Sequence, residues 1–141
     1  MSICLFTNLA YLSETSRAIE IYKALKEQGI KPIVATHGGT YEFILKDENI
    51  PYYLVPPVMT EQCCRNYVLA NIGERPDFYT TKELKEHVNH EIEFFKNNNI
   101  SLVHIGFTLS TKLSARYLNI PLSTAHGSFF SPVFEKKYCP L

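Results

Sequence analysis

The sequence predicts a single α/β domain, a Rossmann-like, doubly wound parallel sheet of five strands in the order 3-2-1-4-5. Three observations carry that reading. Short β-rich runs alternate with segments of helical period. Four helix-to-strand junctions share one punctuation, Gly29-Ile30-Lys31-Pro32, Asn49-Ile50-Pro51, Asn99-Ile100-Ser101 and Asn119-Ile120-Pro121. The run Ile33–Ala35 is continuously apolar, as a strand with helices on both faces should be.

The elements follow in order. Ile3 to Thr7 is an apolar opening without a basic leader, interrupted at Asn8, and reads as a first strand rather than a signal peptide. A helix is expected over about Thr15–Gln28, with Ala18, Ile21, Tyr22 and Leu25 on one face. Each punctuation motif then ends its helix: Gly or Asn takes the left-handed conformation, the apolar residue folds back, and a following Pro blocks continuation. Strands are expected at Pro32–His37 and Tyr52–Val55, with a short helix starting near Thr40. The stretch 56–80 reads as an irregular insertion, broken by a helix over Glu61–Asn71. Thr80-Thr81-Lys82-Glu83 is a capping box that opens a longer helix carrying Leu84, Val88, Ile92 and Phe95. A strand at Leu102–Gly106, a helix at Leu109–Leu118 with Leu109, Leu113 and Tyr117 in line, and a strand at Leu122–Ala125 complete the set. The tail 129–141 has no strong periodicity.

Composition narrows the function. The 141 residues make one domain, 1–141, large enough to fold without a disulfide or metal. Lys+Arg and Asp+Glu both number 14, so nucleic acid or an anionic membrane surface has no charge excess to attract it. No apolar run reaches the ~20 residues of a membrane span. Cys4, Cys63, Cys64 and Cys139 contain no CxxC pair, and adjacent Cys63 and Cys64 cannot easily converge on one zinc, so no metal is expected. Cys4 is expected in the core, the other thiols are ordinary, and a reducing cytoplasm suits them.

Ligands of such sheets bind beyond the strand C-termini, at the switch between strands 1 and 4. Asn8, Thr15 and Ser16 follow strand 1; His37, Gly38 and Gly39 follow strand 2; Thr108 and Ser110 follow strand 4; His126, Gly127 and Ser128 follow strand 5. These residues suit a polar or polyhydroxylated ligand, with Gly38-Gly39 able to bring backbone amides close to it. The competing role of Thr15, Ser16, Thr40, Thr108 and Ser110 is helix capping, and Glu14 suits a helix N-terminus without catalysis. His87 and His90 are read as lying on a solvated helix, and His104 within a strand. No GxGxxG, Walker lysine or GxSxG motif is present, which argues against classical NAD binding, P-loop phosphoryl transfer and the α/β-hydrolase reaction.

Two segments carry a resemblance: LFTNLAYLSETSRAIEIYKALKEQGIKPIVATHGGTYEFILKDENIPYYLVPP and LVHIGFTLSTKLSARYLNIPLSTAHGSF. In element order and distributed pattern the chain, from about Ile3 to Phe134, resembles the N-terminal, acceptor-binding domain of GT-B glycosyltransferases. That group includes bacterial macrolide and flavonoid glucosyltransferases and the lipid-linked GlcNAc transferase of cell-wall synthesis. The resemblance implies metal-free inverting transfer of a sugar from a nucleotide-sugar to a hydroxyl acceptor. The family's base is a His of a Gly-His pair after strand 1, assisted by an Asp after strand 4. Here the matching positions hold Ser13-Glu14 and Gly106, which leaves Glu14, His37 and His126 as candidate catalytic residues.

The family's donor-binding C-terminal domain has no counterpart in this chain. The implied enzyme is therefore the acceptor half of a transferase, inactive until a second domain or subunit supplies the nucleotide-sugar. The rival reading is a non-catalytic, flavodoxin-like ligand or protein-binding module. In a two-domain enzyme the partner domain closes the crevice, so here Tyr11, Leu12, Phe107, Phe129 and Phe130 should form a partly uncovered lip, through which homodimerisation would be unsurprising; the alternative is that the tail folds back over it.

Overall fold

A computed structural model describes residues 1–125; His126, Gly127, Ser128, Phe129, Phe130 and the tail lie outside the described residues. The element order is β1 (Ile3–Phe6), α1 (Leu12–Glu27), β2 (Ile33–Thr36), α2 (Glu42–Asp47), β3 (Tyr52–Leu54), α3 (Glu61–Asn71), α4 (Thr81–Asn97), β4 (Leu102–Ile105), α5 (Leu109–Tyr117) and β5 (Leu122–Thr124). The five strands form one parallel sheet in the order β3-β2-β1-β4-β5, as the sequence predicts.

The four punctuation motifs behave alike. Gly29, Asn49, Asn99 and Asn119 all have positive φ, between 50° and 76°. The isoleucine after each donates its amide back to a carbonyl five residues earlier: Ile30 to Leu25, Ile50 to Leu45, Ile100 to Phe95 and Ile120 to Ala115, at 2.9–3.0 Å. This bond reverses the chain at the helix end and aims it into the next strand. Thr80 caps α4 with the full reciprocal box, its Oγ1 accepting from the Glu83 amide while the Glu83 carboxylate accepts from the Thr80 amide.

Strand pleating divides the core into two faces. Leu5 and Val34 point to one side and pack with Leu9, Ile19, Leu45 and Ile50 beneath α1 and α2. Cys4, Phe6, Ala35, Val103 and Ile105 point to the other and pack with Phe95 of α4. Cys4 is fully buried, as expected, and burial pushes its thiol pKa up; Cys64 is buried too.

Three expectations need correction. α1 starts at Leu12, not Thr15, so Thr15 lies inside the helix with its hydroxyl donated to the Tyr11 carbonyl at 2.9 Å. α2 starts after Tyr41, and Thr108 ends the loop before α5 without a side-chain capping bond, so neither Thr40 nor Thr108 is a hydroxyl cap. The third concerns which faces are buried. On α5 the buried residues are Ser110, Thr111, Ser114 and Ala115, while Leu113 and Tyr117 are exposed. On α4 they are His87, Glu91 and Phe95, so His87 is not solvated. The reason is that α4 and α5 meet through polar side chains, the carboxylate of Glu91 on one and the hydroxyls of Ser110, Thr111 and Ser114 on the other. Among the described residues, no helix is long and apolar enough to cross a membrane.

Candidate functional site

The meeting of α4 and α5 is organised by one buried carboxylate. Glu91 is 0% exposed. Its Oε1 accepts from Ser110 Oγ at 2.6 Å and Thr111 Oγ1 at 3.2 Å, and its Oε2 accepts from Ser114 Oγ. Short hydroxylated side chains on α5 thus supply the donors that a buried carboxylate requires. His37, at the end of β2, completes the network: its Nε2 lies 2.8 Å from Glu91 Oε1 and its Nδ1 2.8 Å from the Val55 carbonyl. A carbonyl only accepts, so Nδ1 carries a hydrogen and donates it. Both ring nitrogens of His37 are therefore engaged, inside a residue 5% exposed.

Glu14 takes a different position, at the third residue of α1. Its Oε2 accepts from the Phe107 amide at 2.8 Å and its Oε1 from Arg17 Nη1 at 2.7 Å. Arg17 also donates to the Ala125 carbonyl at the end of β5, at 3.3 Å. Glu14 lies directly over Gly106, where a Cβ would fall 1.4 Å from Oε2. Glu14 and Gly106 are thus in contact. The carboxylate of Glu14 occupies the space that a side chain at 106 would fill.

The strand-end residues converge at the switch point. Asn8, His37, Gly38, Thr108 and Ser110 line one small void of about 10 Å³, together with Thr7, Met59 and Tyr79. Most of them also have structural work. Asn8 bridges the two central loops, its Nδ2 donating to the Phe107 carbonyl and its Oδ1 accepting from the Ala10 amide, both at 3.0 Å. Gly38 donates its amide to Thr36 Oγ1 at 3.0 Å. Gly39, with φ of +148°, presses on the backbone of Leu9 and Ala10, where a Cβ would lie 2.4 Å from the Leu9 carbonyl carbon. Thr15 is buried, and Ser16 is exposed on the outer side of α1. Only Thr108 in this group has a buried hydroxyl without a partner among the described residues.

The insertion covers this crevice. Tyr67 of α3 and Phe78 pack edge-on against Phe107 at 5.9 and 5.6 Å between ring centroids, and Tyr11 against Tyr67 at 5.9 Å. Tyr67 donates its hydroxyl to the Phe107 carbonyl at 3.3 Å. Burial pushes the Tyr11 phenol up to about 12, and it raises those of Tyr67 and Tyr79, so all three remain neutral. Tyr11 and Phe107 are half-buried and Leu12 is exposed, so these three are partly uncovered as expected, while Phe129 and Phe130 lie outside the described residues. Between α3, the loop 72–80 and α4 lies a larger chamber of about 160 Å³. Among the described residues, no three His, Cys, Asp or Glu side chains gather in a metal-holding group.

Glu91 and His87 were the residues that sequence reasoning missed. The signal was present: Leu84, His87, Val88, Glu91 and Phe95 recur at intervals of three and four, which places a charged residue on the apolar stripe of a helix. A carboxylate there requires donors, and α5 carries Ser110, Thr111 and Ser114 at matching intervals.

Comparison with solved structures gives the fold a context. The chain superposes on SsfS6, a glycosyltransferase of Streptomyces sp. SF2575, with a TM-score of 0.67 at 14% identity, over 97% of this chain and 42% of that one. It superposes on MurG of Acinetobacter baumannii with a TM-score of 0.61 at 16% identity, over 89% of this chain and 34% of that one. The spinosyn rhamnosyltransferase SpnG matches with a TM-score of 0.62 at 10% identity, over 97% and 38%. The fold is that of one GT-B glycosyltransferase domain. The chain spans well under half the length of these structures, of which SsfS6 and SpnG are also known with thymidine diphosphate bound. No family model matches the chain, and no curated protein matches its sequence. At these identities the likeness of the GT-B-like domain is one of fold.

Proposed function

We propose that this chain is the acceptor-binding part of an inverting glycosyltransferase, working with a second domain or subunit that holds the nucleotide-sugar. The observation that carries the reading is the convergence of Asn8, His37, Gly38, Thr108 and Ser110 at the switch point of a GT-B-like domain. Ligands of this sheet type bind there, and the residues gathered are polar.

Glu14, which lines a second void sharing Thr7 with the strand-end one, is assigned the role of proton acceptor. Among the described candidates, His37 has both nitrogens engaged, whereas each Glu14 oxygen accepts one bond and keeps a second lone pair. In the reaction the acceptor hydroxyl loses its proton to Glu14 as its oxygen bonds to the anomeric carbon. The bond from that carbon to the nucleotide diphosphate breaks on the opposite face, with inversion. Arg17 and the Phe107 amide fix the carboxylate during the step.

The test has two arms. Calorimetric titration of the purified chain with UDP- and TDP-sugars should give no binding heat. Joined to the donor-binding domain of a GT-B enzyme, the chain should support turnover of a nucleotide-sugar with a hydroxyl acceptor. Tight binding of a nucleotide-sugar by the chain alone would overturn the acceptor assignment. A Glu14→Gln variant of the active combination should lose transfer by roughly 10²–10⁴-fold, the range of general-base catalysis. Unchanged turnover would remove Glu14 from the mechanism.

A further inference from the structure

The loop 72–80 crosses the crevice as a strap held by aromatic rings. Among the described residues, no backbone group from Arg75 to Tyr79 hydrogen-bonds to another backbone group. Phe78 instead packs against Tyr67 at 4.9 Å and Phe107 at 5.6 Å between ring centroids. Tyr79 packs against Tyr67 at 5.5 Å and His87 at 5.0 Å. Segments with few backbone bonds open at the low end of a protein's range of local stability. Tyr79 also lines the strand-end void with Thr108 and Ser110, so the position of the strap decides access to that void.

His87, against which Tyr79 rests, accommodates a single ring proton while the strap is closed. It is 6% exposed, and its Nδ1 lies 2.8 Å from the Glu83 carbonyl. The carbonyl only accepts, so Nδ1 carries the hydrogen and a second proton must go to Nε2. That nitrogen is buried and has no partner among the described residues. A charged donor left there without an acceptor is costly.

The titratable groups around the ring do not relieve that cost. From the end of β2, His37 packs edge-on at 4.3 Å. On α4 the Glu91 carboxylate is engaged with His37, Ser110, Thr111 and Ser114, and that of Glu83 with the Thr80 amide. The Tyr79 phenol of the strap stays neutral. Arg75 of the strap, Cys63 of α3 and Glu86 of α4 line the chamber beside His87. Burial first and His37 next hold the His87 pKa below its ordinary 6.5. Once the strap lifts, water reaches the ring and the second proton is accepted as in any exposed histidine.

We propose that His87 is a proton-operated latch, whose protonation releases Tyr79 and lifts the loop 72–80 from the strand-end crevice. The proton binds the open form more tightly than the closed one, so acid populates the open form. The opening equilibrium should rise by up to about tenfold for each pH unit below about 6.5, and level off below the closed-state value. The inference rests on the acceptor-half reading only in making that crevice the place of the substrate. The motion itself requires neither a nucleotide-sugar nor transfer.

The chain has no tryptophan, so Phe78→Trp places a single fluorescent reporter in the strap. Between about pH 7.5 and pH 5 its emission should move to the red and its quenching by acrylamide should rise, while far-UV circular dichroism holds. Adding His87→Phe to the reporter chain should leave the emission fixed over the same range. On the unaltered chain, NMR contacts between the Tyr79 and His87 rings should fade as the ¹⁵N-histidine signal of His87 titrates. The proposal is overturned by emission and ring contacts that stay constant while His87 titrates, by a red shift that survives His87→Phe, or by a shift that coincides with loss of the circular dichroism. Such a result leaves the acceptor-half reading standing, whereas a working latch in a joined enzyme that transfers no sugar counts against that reading alone.

Discussion

Glu14 and Gly106 share one space: a Cβ built on Gly106 would fall 1.4 Å from the Glu14 carboxylate oxygen. The missing side chain on the β4–α5 loop is what lets α1 reach across to the Phe107 amide. The two residues make one interaction, although 92 positions separate them along the chain.

Gly106→Ala should therefore behave as a remote deletion of Glu14. The carboxylate is the flexible end of its side chain and gives way, so the expected cost is that of its bond to the Phe107 amide, about 1–2 kcal/mol. Glu14→Ala should cost a similar amount, and the double variant should cost less than the sum. Urea denaturation of the four proteins checks this, and strict additivity would show that the two positions are not coupled.

The Glu91 network predicts a larger effect. Glu91→Ala leaves the hydroxyls of Ser110, Thr111 and Ser114 without their common acceptor and removes the carboxyl oxygen that His37 Nε2 contacts. Removing one partner from such a buried network costs roughly 3–5 kcal/mol. Glu91→Gln retains one acceptor oxygen and should lose less. The denaturation midpoints of both variants give the ordering.

Stability should decline on mild acidification. The His87 pKa is held below its ordinary 6.5, first by burial and next by neighbouring His37. His104 is lowered as well, again chiefly by burial. The unfolded chain takes up these protons near pH 6.5, while the folded chain resists them until lower pH. The stability held by the neutral imidazoles is therefore complete above about pH 6.5 and is lost as pH falls through the folded values. Unfolding midpoints measured between about pH 7.5 and pH 5 should fall, and His87→Phe should flatten that slope.

Gly39 gives a backbone test. Its φ of +148° and the Leu9 carbonyl carbon 2.4 Å from a built Cβ leave no room for alanine, and backbone is the obstacle. Gly39→Ala should destabilise by roughly 3 kcal/mol, through strain and clash together. Gly29→Ala has a positive φ but open space around it, so it should cost only about 1 kcal/mol. Thermal unfolding of the pair separates steric conflict from conformational strain.

Much of the fold was legible because its signals are local. A left-handed Gly or Asn followed by Ile ends a helix wherever it occurs, and the Thr80–Glu83 box starts one. The start of α1 was less legible, because Tyr11 and Leu12 carry no capping side chain. The site was legible as a place, since strand ends at a switch point converge whatever their residues. It was not legible as a set of roles: Asn8, Gly39 and Thr15 hold loops and helices together, which no spacing in the sequence reveals.

Local order along the chain, then, was determined by the sequence read segment by segment: five strands, the helix ends between them, and a parallel sheet. Tertiary structure alone decided which helix faces are buried. Leu109, Leu113 and Tyr117 form the apolar line of α5, yet the helix turns Ser110, Thr111 and Ser114 inward. A carboxylate taken out of water on α4 needs its donors beside it, and that requirement outweighs the burial of two or three apolar side chains. Hydrophobic periodicity is a property of one helix, whereas hydrogen-bond satisfaction belongs to two helices that meet only in the folded chain.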